Sequence, residues 1–85
     1  MKQEIQEALL GFIISNFMVE REEIDLEKSL IDEGIIDSFG LIEISSFIED
    51  DFSIAVKEDD MVRENFGSVL KIVDFIHRRR GAEHE

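Results

Sequence analysis

The chain has 85 residues, a hydrophobic content of 44% and a formal net charge of −12, and it contains no cysteine, proline, tryptophan or tyrosine. This length predicts one small domain with a single apolar core, because the apolar residues are too many for a disordered acidic tail. The negative charge disfavours nucleic acid and anionic lipid as partners. The lack of cysteine excludes disulfides, thiolate metal sites and cysteine nucleophiles.

No apolar run reaches the length of a membrane-spanning helix, and no basic-then-apolar signal peptide opens the sequence. We therefore expect a soluble, cytoplasmic protein. The acids are concentrated between Asp32 and Asp60, where ten of them accompany a single basic residue, Lys57, for a local net charge of −9. A partner that docks on this segment should be basic, although an acidic surface that only keeps the protein soluble would have the same composition.

Apolar residues near the N-terminus recur at steps of three and four, which predicts an amphipathic helix from about Lys2 to about Met18. Its expected buried residues are Ile5, Ala8, Leu9, Phe12, Ile13 and Phe17. From Val19 to Asp37 this period is lost and Gly34 interrupts the apolar pairs. The segment should therefore be a long loop that its isoleucines and leucines hold against the core. Loops of this length are uncommon in small domains and are often functional.

A second helix should begin at Asp37 or Ser38 and reach about Phe52. At 100° per residue its core stripe consists of Leu41, Ile44, Phe47, Ile48 and Phe52. Two large apolar residues fall on the opposite side, and acids surround them: Phe39 and Ile42, with Glu43, Glu49 and Asp50. Such a pair indicates a docking patch, unless the preceding loop folds over the pair and covers it.

The remaining sequence predicts a short extended link at 53–56 and then a short helical turn from Glu58 to about Glu64. The last helix should start near Asn65 or Ser68, both of which are good N-caps. Its expected buried stripe is Val69, Ile72, Val73 and Ile76, with Leu70 and Phe75 on the flanks.

These elements predict an all-α fold, a four-helix bundle of three longer helices and one short helix, with a long loop between the first and second helices. A single domain should occupy residues 1–80, and the tail at 81–85 should fray. The three arginines at 78–80 suit the negative pole at the end of the last helix.

Catalytic and metal-binding patterns are missing from the sequence. The two histidines, His77 and His84, have no local serine or acid arrangement typical of a nucleophilic triad, and there is no Gly-x-Ser-x-Gly elbow. The run from Asp32 to Ile36 does not fit the spacing of a calcium-binding loop, which disfavours a divalent-cation-responsive regulator. We expect a protein that is not an enzyme and has no metal site.

Ser38 is the remaining candidate for chemistry. Nothing nearby in the sequence would deprotonate it, so it should not act as a nucleophile unaided. At a helix start it is well placed to accept a phosphodiester, because backbone N–H groups there favour an anion. A simple helix cap is the alternative, since Asp-Ser is common at helix starts.

The segment 34–39 (Gly-Ile-Ile-Asp-Ser-Phe) resembles the phosphopantetheine attachment site of acyl carrier proteins and their relatives, the peptidyl and aminoacyl carrier domains. That family has Asp-Ser followed by an apolar residue, with a Gly-x-x-Asp-Ser lead-in. The segments 49–56 and 65–72 also resemble the end of the family's second helix and the entry to its last helix. The resemblance thus covers nearly the whole chain.

The resemblance implies a four-helix bundle in which 4′-phosphopantetheine from coenzyme A is esterified to Ser38, with Asp37 as the motif neighbour. The terminal thiol of this arm would hold acyl or aminoacyl groups as thioesters. A chain without cysteines would in this way obtain a thiol from outside its amino acids.

The same resemblance implies that the second helix docks enzymes with basic surfaces. Phe39 and Ile42 would be the apolar anchors, and Glu43 and Glu49 would form a salt-bridging rim. The implied partners are a phosphopantetheinyl transferase, a ligase that loads the cargo, and downstream synthases or transferases of a fatty-acid, polyketide, peptide or other specialised pathway. We expect the carrier to be a monomer.

Two residues depart from the pattern of the fatty-acid carriers. Gly40 stands where those proteins usually have an acid, and Ser46 stands where they often have Met or another apolar residue. These departures favour a stand-alone carrier of a specialised pathway. An acidic helical interaction module without a prosthetic group is the alternative function.

Overall fold

The computed structural model describes residues 2–83 of the chain, with side chains to residue 81. Its four α-helices are α1 (Lys2–Phe17), α2 (Ser38–Phe52), α3 (Arg63–Phe66) and α4 (Val69–Glu83). Single 3-10 turns occur at Arg21–Glu23 and Glu58–Asp60, and the described residues include no β-strand. The predicted all-α bundle of three longer helices and one short helix is confirmed.

The core consists mainly of aliphatic side chains from the three longer helices. The largest side chains with less than 2% of their surface exposed are Ile5, Leu9, Ile13, Ile44, Ile48, Val69, Ile72 and Ile76. They recur at steps of three and four along each helix, as expected from the sequence. Phe12 of α1 stacks on Phe47 of α2 with ring centroids 4.4 Å apart, which joins these two helices beside the core.

The buried face of α1 differs from its prediction at one margin. Ala8, expected in the core, is exposed, whereas Leu10 is buried. These two residues flank Leu9 on opposite sides of the helix, because successive residues are about 100° apart. The side of α1 that the fold covers is therefore the Leu10 side.

The connection between α1 and α2 is a loop held against the core, as predicted. Ile24, Leu30 and Ile36 are buried in it. The N–H of Leu70, at the start of α4, donates a hydrogen bond of 3.1 Å to the carbonyl oxygen of Leu26. The loop therefore packs against the start of α4.

The segment between α2 and α4 differs from the single short turn predicted from Glu58 to about Glu64. A 3-10 turn is followed by the separate helix α3, whose last residue, Phe66, is buried. Phe75 of α4, expected on a flank, is also buried, because its ring lies 5.4 Å from that of Phe66. This aromatic contact holds α3 against α4.

The last helix starts after Ser68, whose hydroxyl accepts a hydrogen bond from the N–H of Lys71 at 3.1 Å. Helix α4 continues to Glu83. The tail predicted at 81–85 lies partly outside the described residues. None of the described helices has both the length and the apolar character needed to span a membrane.

Candidate functional site at the start of α2

Ser38 is the first residue of α2 and is exposed. The N-cap is Asp37, whose backbone is extended and whose Oδ1 accepts a hydrogen bond of 2.9 Å from the N–H of Gly40. Among the described residues, the Ser38 hydroxyl has no hydrogen-bond partner. The cap of α2 therefore does not use Ser38, and its hydroxyl is available to a group from outside the chain.

The backbone around Ser38 can accept an anion. In the first turn of α2, the N–H of Gly40 bonds to the Asp37 side chain and that of Leu41 bonds to the Asp37 carbonyl oxygen at 3.1 Å. The N–H groups of Ser38 and Phe39 are left without a partner inside the helix. A phosphodiester on Ser38 would lie beside these donors at the positive pole of the helix, so the residues present fit a phosphate-linked group.

Gly34 shapes the turn that leads into α2. Its φ of +77° lies in the left-handed region, where glycine is favoured because it has no Cβ. After it, the N–H groups of Ile35 and Ile36 both donate to the carbonyl oxygen of Leu30, at 2.9 and 3.3 Å. This turn buries Ile36 directly before Asp37, which gives the glycine of the Gly-x-x-Asp-Ser segment a conformational role.

Gly40 is buried where the end of α1, the loop and the start of α2 meet. A Cβ on Gly40 would lie 2.8 Å from the Cβ of Ile36 and 3.1 Å from Cε1 of Phe17. An acid at this position would require the backbone to shift. The departure from the fatty-acid carriers at Gly40 thus has a packing role that the sequence did not reveal.

The structure exposes both of the apolar residues predicted as docking anchors. Phe39 is 75% exposed and Ile42 is 54% exposed, so the idea that the loop covers them is wrong. Glu43 and Glu49 are exposed on the same helix. Glu49 has a second role that the sequence did not indicate, because its Oε2 accepts a hydrogen bond of 3.0 Å from the N–H of Val56 after the helix.

A cleft of about 200 Å³ opens between α2, the loop and α3. Leu41, Met61 and Phe66 contribute to its apolar lining. Asp32 and Arg63 also line it and form an ion pair with an N–O distance of 3.5 Å, although their side chains are 60% and 76% exposed. An ion pair this exposed contributes little to stability, so it does not hold the cleft in a fixed shape.

Metal binding and histidine chemistry have little structural support among the described residues. Within the described part of the chain, no group of three or more His, Asp or Glu side chains is arranged to hold a metal ion. His77 is an exposed residue of α4, and His84 lies outside the described residues.

Comparison with known proteins agrees with this site. A family model described as "Phosphopantetheine attachment site" matches residues 7–76, a range that includes Ser38. The D-alanyl carrier protein of Streptococcus suis (strain 05ZYH33) is 30% identical over 70 residues, which cover 82% of this chain and 87% of that protein.

Two further relatives match this chain over nearly the whole of their own length. The D-alanyl carrier protein of Streptococcus mutans serotype c is 28% identical over 79 residues, which are 93% of this chain and 99% of that protein. The D-alanyl carrier protein of Streptococcus pyogenes serotype M1 is 28% identical over 78 residues, which are 92% and 98% of the two chains. The chain belongs to the family of carrier proteins that bear covalently attached 4′-phosphopantetheine.

Proposed function

We propose that the chain carries a small aminoacyl or acyl group as a thioester on a 4′-phosphopantetheine arm attached to Ser38. The observation that carries this proposal is the exposed Ser38 hydroxyl, which neither caps α2 nor bonds to another described residue. Because Asp37 supplies the cap, modification of Ser38 would leave the start of the helix intact.

Attachment of the arm is a phosphoryl transfer from coenzyme A. The Oγ of Ser38 forms a bond to the phosphorus next to the pantetheine, the phosphoanhydride bond of coenzyme A breaks, and 3′,5′-adenosine bisphosphate leaves. A serine hydroxyl is a weak nucleophile at neutral pH, so the transferase must supply the base that takes its proton. When bound, the arm supplies a thiol for thioester formation, and the chain itself catalyses no step.

Two observations support a small cargo. The relatives described above are D-alanyl carrier proteins, which favours D-alanine or another small amino acid. The core side chains are fully buried, and the cleft beside α2 has a volume of only about 200 Å³. A long acyl chain would have to displace close-packed aliphatic side chains to be shielded from water.

The proposed partners are a phosphopantetheinyl transferase, a ligase that loads the cargo, and a transferase that removes it. They would dock on α2 through Phe39 and Ile42, with Glu43 and Glu49 pairing with basic side chains. The exposure of both apolar residues and the local negative charge support this assignment.

Intact-protein mass spectrometry after incubation with coenzyme A and a broad-specificity phosphopantetheinyl transferase tests the attachment site. Ser38→Ala is the test variant, and Ser46→Ala is its control, because Ser46 is another exposed serine of α2. We expect wild type and Ser46→Ala to gain one phosphopantetheine and Ser38→Ala to gain none. No gain on folded wild type would favour an acidic interaction module without a prosthetic group.

The cargo is tested on the modified protein. It is incubated with ATP, a D-alanine-activating ligase and D-alanine, and in parallel with octanoate and a fatty-acyl ligase. We expect a hydroxylamine-sensitive mass gain with D-alanine. A gain with octanoate alone would contradict the assignment of a small cargo.

A further inference from the structure

Met18 is the most exposed large apolar side chain among the described residues, at 92%, followed by Phe39 at 75%. It directly follows α1 and has a φ of 54°, in the left-handed region. A left-handed residue directly after a helix is a common way to end it, and Ser53 does the same after α2. This backbone does not require an apolar side chain, because glycine and asparagine tolerate it best, so the exposed side chain of Met18 is not explained by folding. We propose that Met18 is a further apolar anchor, in addition to Phe39 and Ile42, for the phosphopantetheinyl transferase that modifies Ser38, an inference that rests on the proposed function.

Met18 and Ser38 lie at the same end of the bundle. Phe17 is the residue before Met18. The Cε1 atom of its ring lies 3.1 Å from the position that a Cβ on Gly40 would occupy. Gly40 follows Ser38 by two residues in α2. These connections limit the Cα separation of Ser38 and Met18 to about 20 Å.

Ser38 and Met18 are therefore close enough for one enzyme surface to cover both. A standard protein–protein interface covers roughly 800 Å² of each partner, which corresponds to a patch about 30 Å across. Ser38, Phe39 and Met18 fit within one such patch. Apolar side chains that lie near the centre of an interface supply much of its affinity.

The charges around Met18 indicate the kind of surface that it meets. Exposed acids follow it at Glu20, Glu22 and Glu23, and the exposed Arg21 among them leaves this stretch net negative. Glu43 is exposed about one helical turn after Phe39 in α2. The complement of exposed apolar side chains on an acidic surface is a basic surface with apolar recesses. A second copy of this chain is disfavoured as occupant, because each copy has a net charge of −12. The unbranched side chain of methionine adapts to the shape of a recess.

A pair of substitutions separates the side chain from the backbone. Met18→Asn removes the apolar side chain and suits the left-handed conformation, whereas Met18→Leu keeps an apolar side chain in the same strained backbone. The kcat/KM for arm attachment is measured by intact mass, with coenzyme A and the broad-specificity transferase, and the Tm by circular dichroism. We expect Met18→Asn to keep or raise the Tm and to lower kcat/KM at least threefold. Met18→Leu should stay within twofold of wild type in kcat/KM.

The outcomes distinguish this inference from the proposed function. Equal rates for wild type and Met18→Asn would overturn the role of Met18 and leave the carrier function standing. An equal loss of rate in Met18→Asn and Met18→Leu, or a lower Tm for Met18→Asn, would also overturn it, since the effect would then be structural. No mass gain on folded wild type would overturn the proposed function itself.

Discussion

Gly40 and Ile36 are packed so closely that a Cβ on Gly40 would lie 2.8 Å from the Cβ of Ile36. Ile36 is a buried residue of the loop, and Gly40 lies in the first turn of α2. Ser38 stands between them in the chain. The missing side chain at Gly40 therefore determines how the loop joins the helix, and with it the position of the Ser38 hydroxyl.

The close packing predicts that Gly40→Ala lowers the free energy of unfolding by about 1–3 kcal/mol, because the backbone must move to accept the methyl group. Gly11→Ala is the matched control. Gly11 lies inside α1, is exposed and would bring its Cβ within 4 Å of no described atom outside the local backbone. We expect Gly11→Ala to stabilise the protein by about 0.5–1 kcal/mol. Urea denaturation measures both, and a Gly40→Ala protein as stable as wild type would contradict the packing explanation.

Arg79 links α4 to the segment that follows α2. Its guanidinium donates to Oδ1 of Asp60 at 2.9 Å and to the carbonyl oxygen of Ala55 at 3.0 Å, and it lies 4.8 Å from the ring centroid of Phe75. Oδ2 of Asp60 also accepts a hydrogen bond of 3.0 Å from the N–H of Lys57. The Lys57 N–H, followed by the Arg79 guanidinium, lowers the pKa of Asp60 below its usual value.

The lowered pKa of Asp60 predicts that this residue contributes to the loss of folding stability in acid. Ionised Asp60 stabilises the folded state above its unfolded pKa of about 4, and this contribution is lost as the pH falls from there through the folded pKa. Asp60→Asn keeps an oxygen for the Lys57 N–H but removes the charge next to Arg79. We expect it to lower the free energy of unfolding by about 1 kcal/mol at pH 7. Urea denaturation at pH 7, 4 and 3 should show that this difference from wild type shrinks as the pH falls. A difference that stays constant would mean that the charge of Asp60 is not its cause.

The parts of the fold that the sequence predicted are those with local signals. Helices α1 and α2 begin and end within about one residue of expectation, because their aliphatic periods and the Asp37 cap are contained in short stretches of sequence. The exposure of Phe39 and Ile42 follows from the same helical period. Ser38 could be identified because the residues that present it are its neighbours in the chain.

The features that the sequence did not reveal depend on contacts between distant residues. The burial of Phe75 depends on α3, whose position is not encoded by a periodic pattern. The hydrogen bond from Val56 to Glu49 depends on the path of the chain after α2. Arg79, expected only to suit the helix dipole, instead joins two segments of the fold.

The acidic segment predicts that added salt stabilises the protein. Residues 32–60 have a net charge of −9, and their mutual repulsion opposes the compact state at low ionic strength. Raising the NaCl concentration from about 10 mM to about 300 mM shortens the Debye length from about 30 Å to below 8 Å, so the Tm should rise. Thermal denaturation followed by circular dichroism measures this. A Tm that is constant or falls would mean that this repulsion does not significantly destabilise the fold.

The acidic residues of α2 predict an electrostatic effect on arm attachment. We expect Glu43→Lys to lower kcat/KM with the transferase about fivefold or more at low salt, because it opposes a basic enzyme surface with a like charge. Glu7→Lys makes the same charge change at an exposed position of α1. Glu7 lies about 15 Å along that helix from Phe17, away from the end that holds Ser38. The kcat/KM of Glu7→Lys should stay within twofold of wild type.

The dependence on salt completes the test of this electrostatic effect. The wild-type rate should fall as the NaCl concentration rises, and the deficit of Glu43→Lys should shrink with it, because both arise from screened charges. Glu49 is changed to Gln for the same measurement, since the amide oxygen can still accept the Val56 N–H and keep the fold unchanged. A rate that does not depend on salt would mean that charge does not govern the encounter at α2. An equal loss in Glu7→Lys would mean that net charge alone governs it.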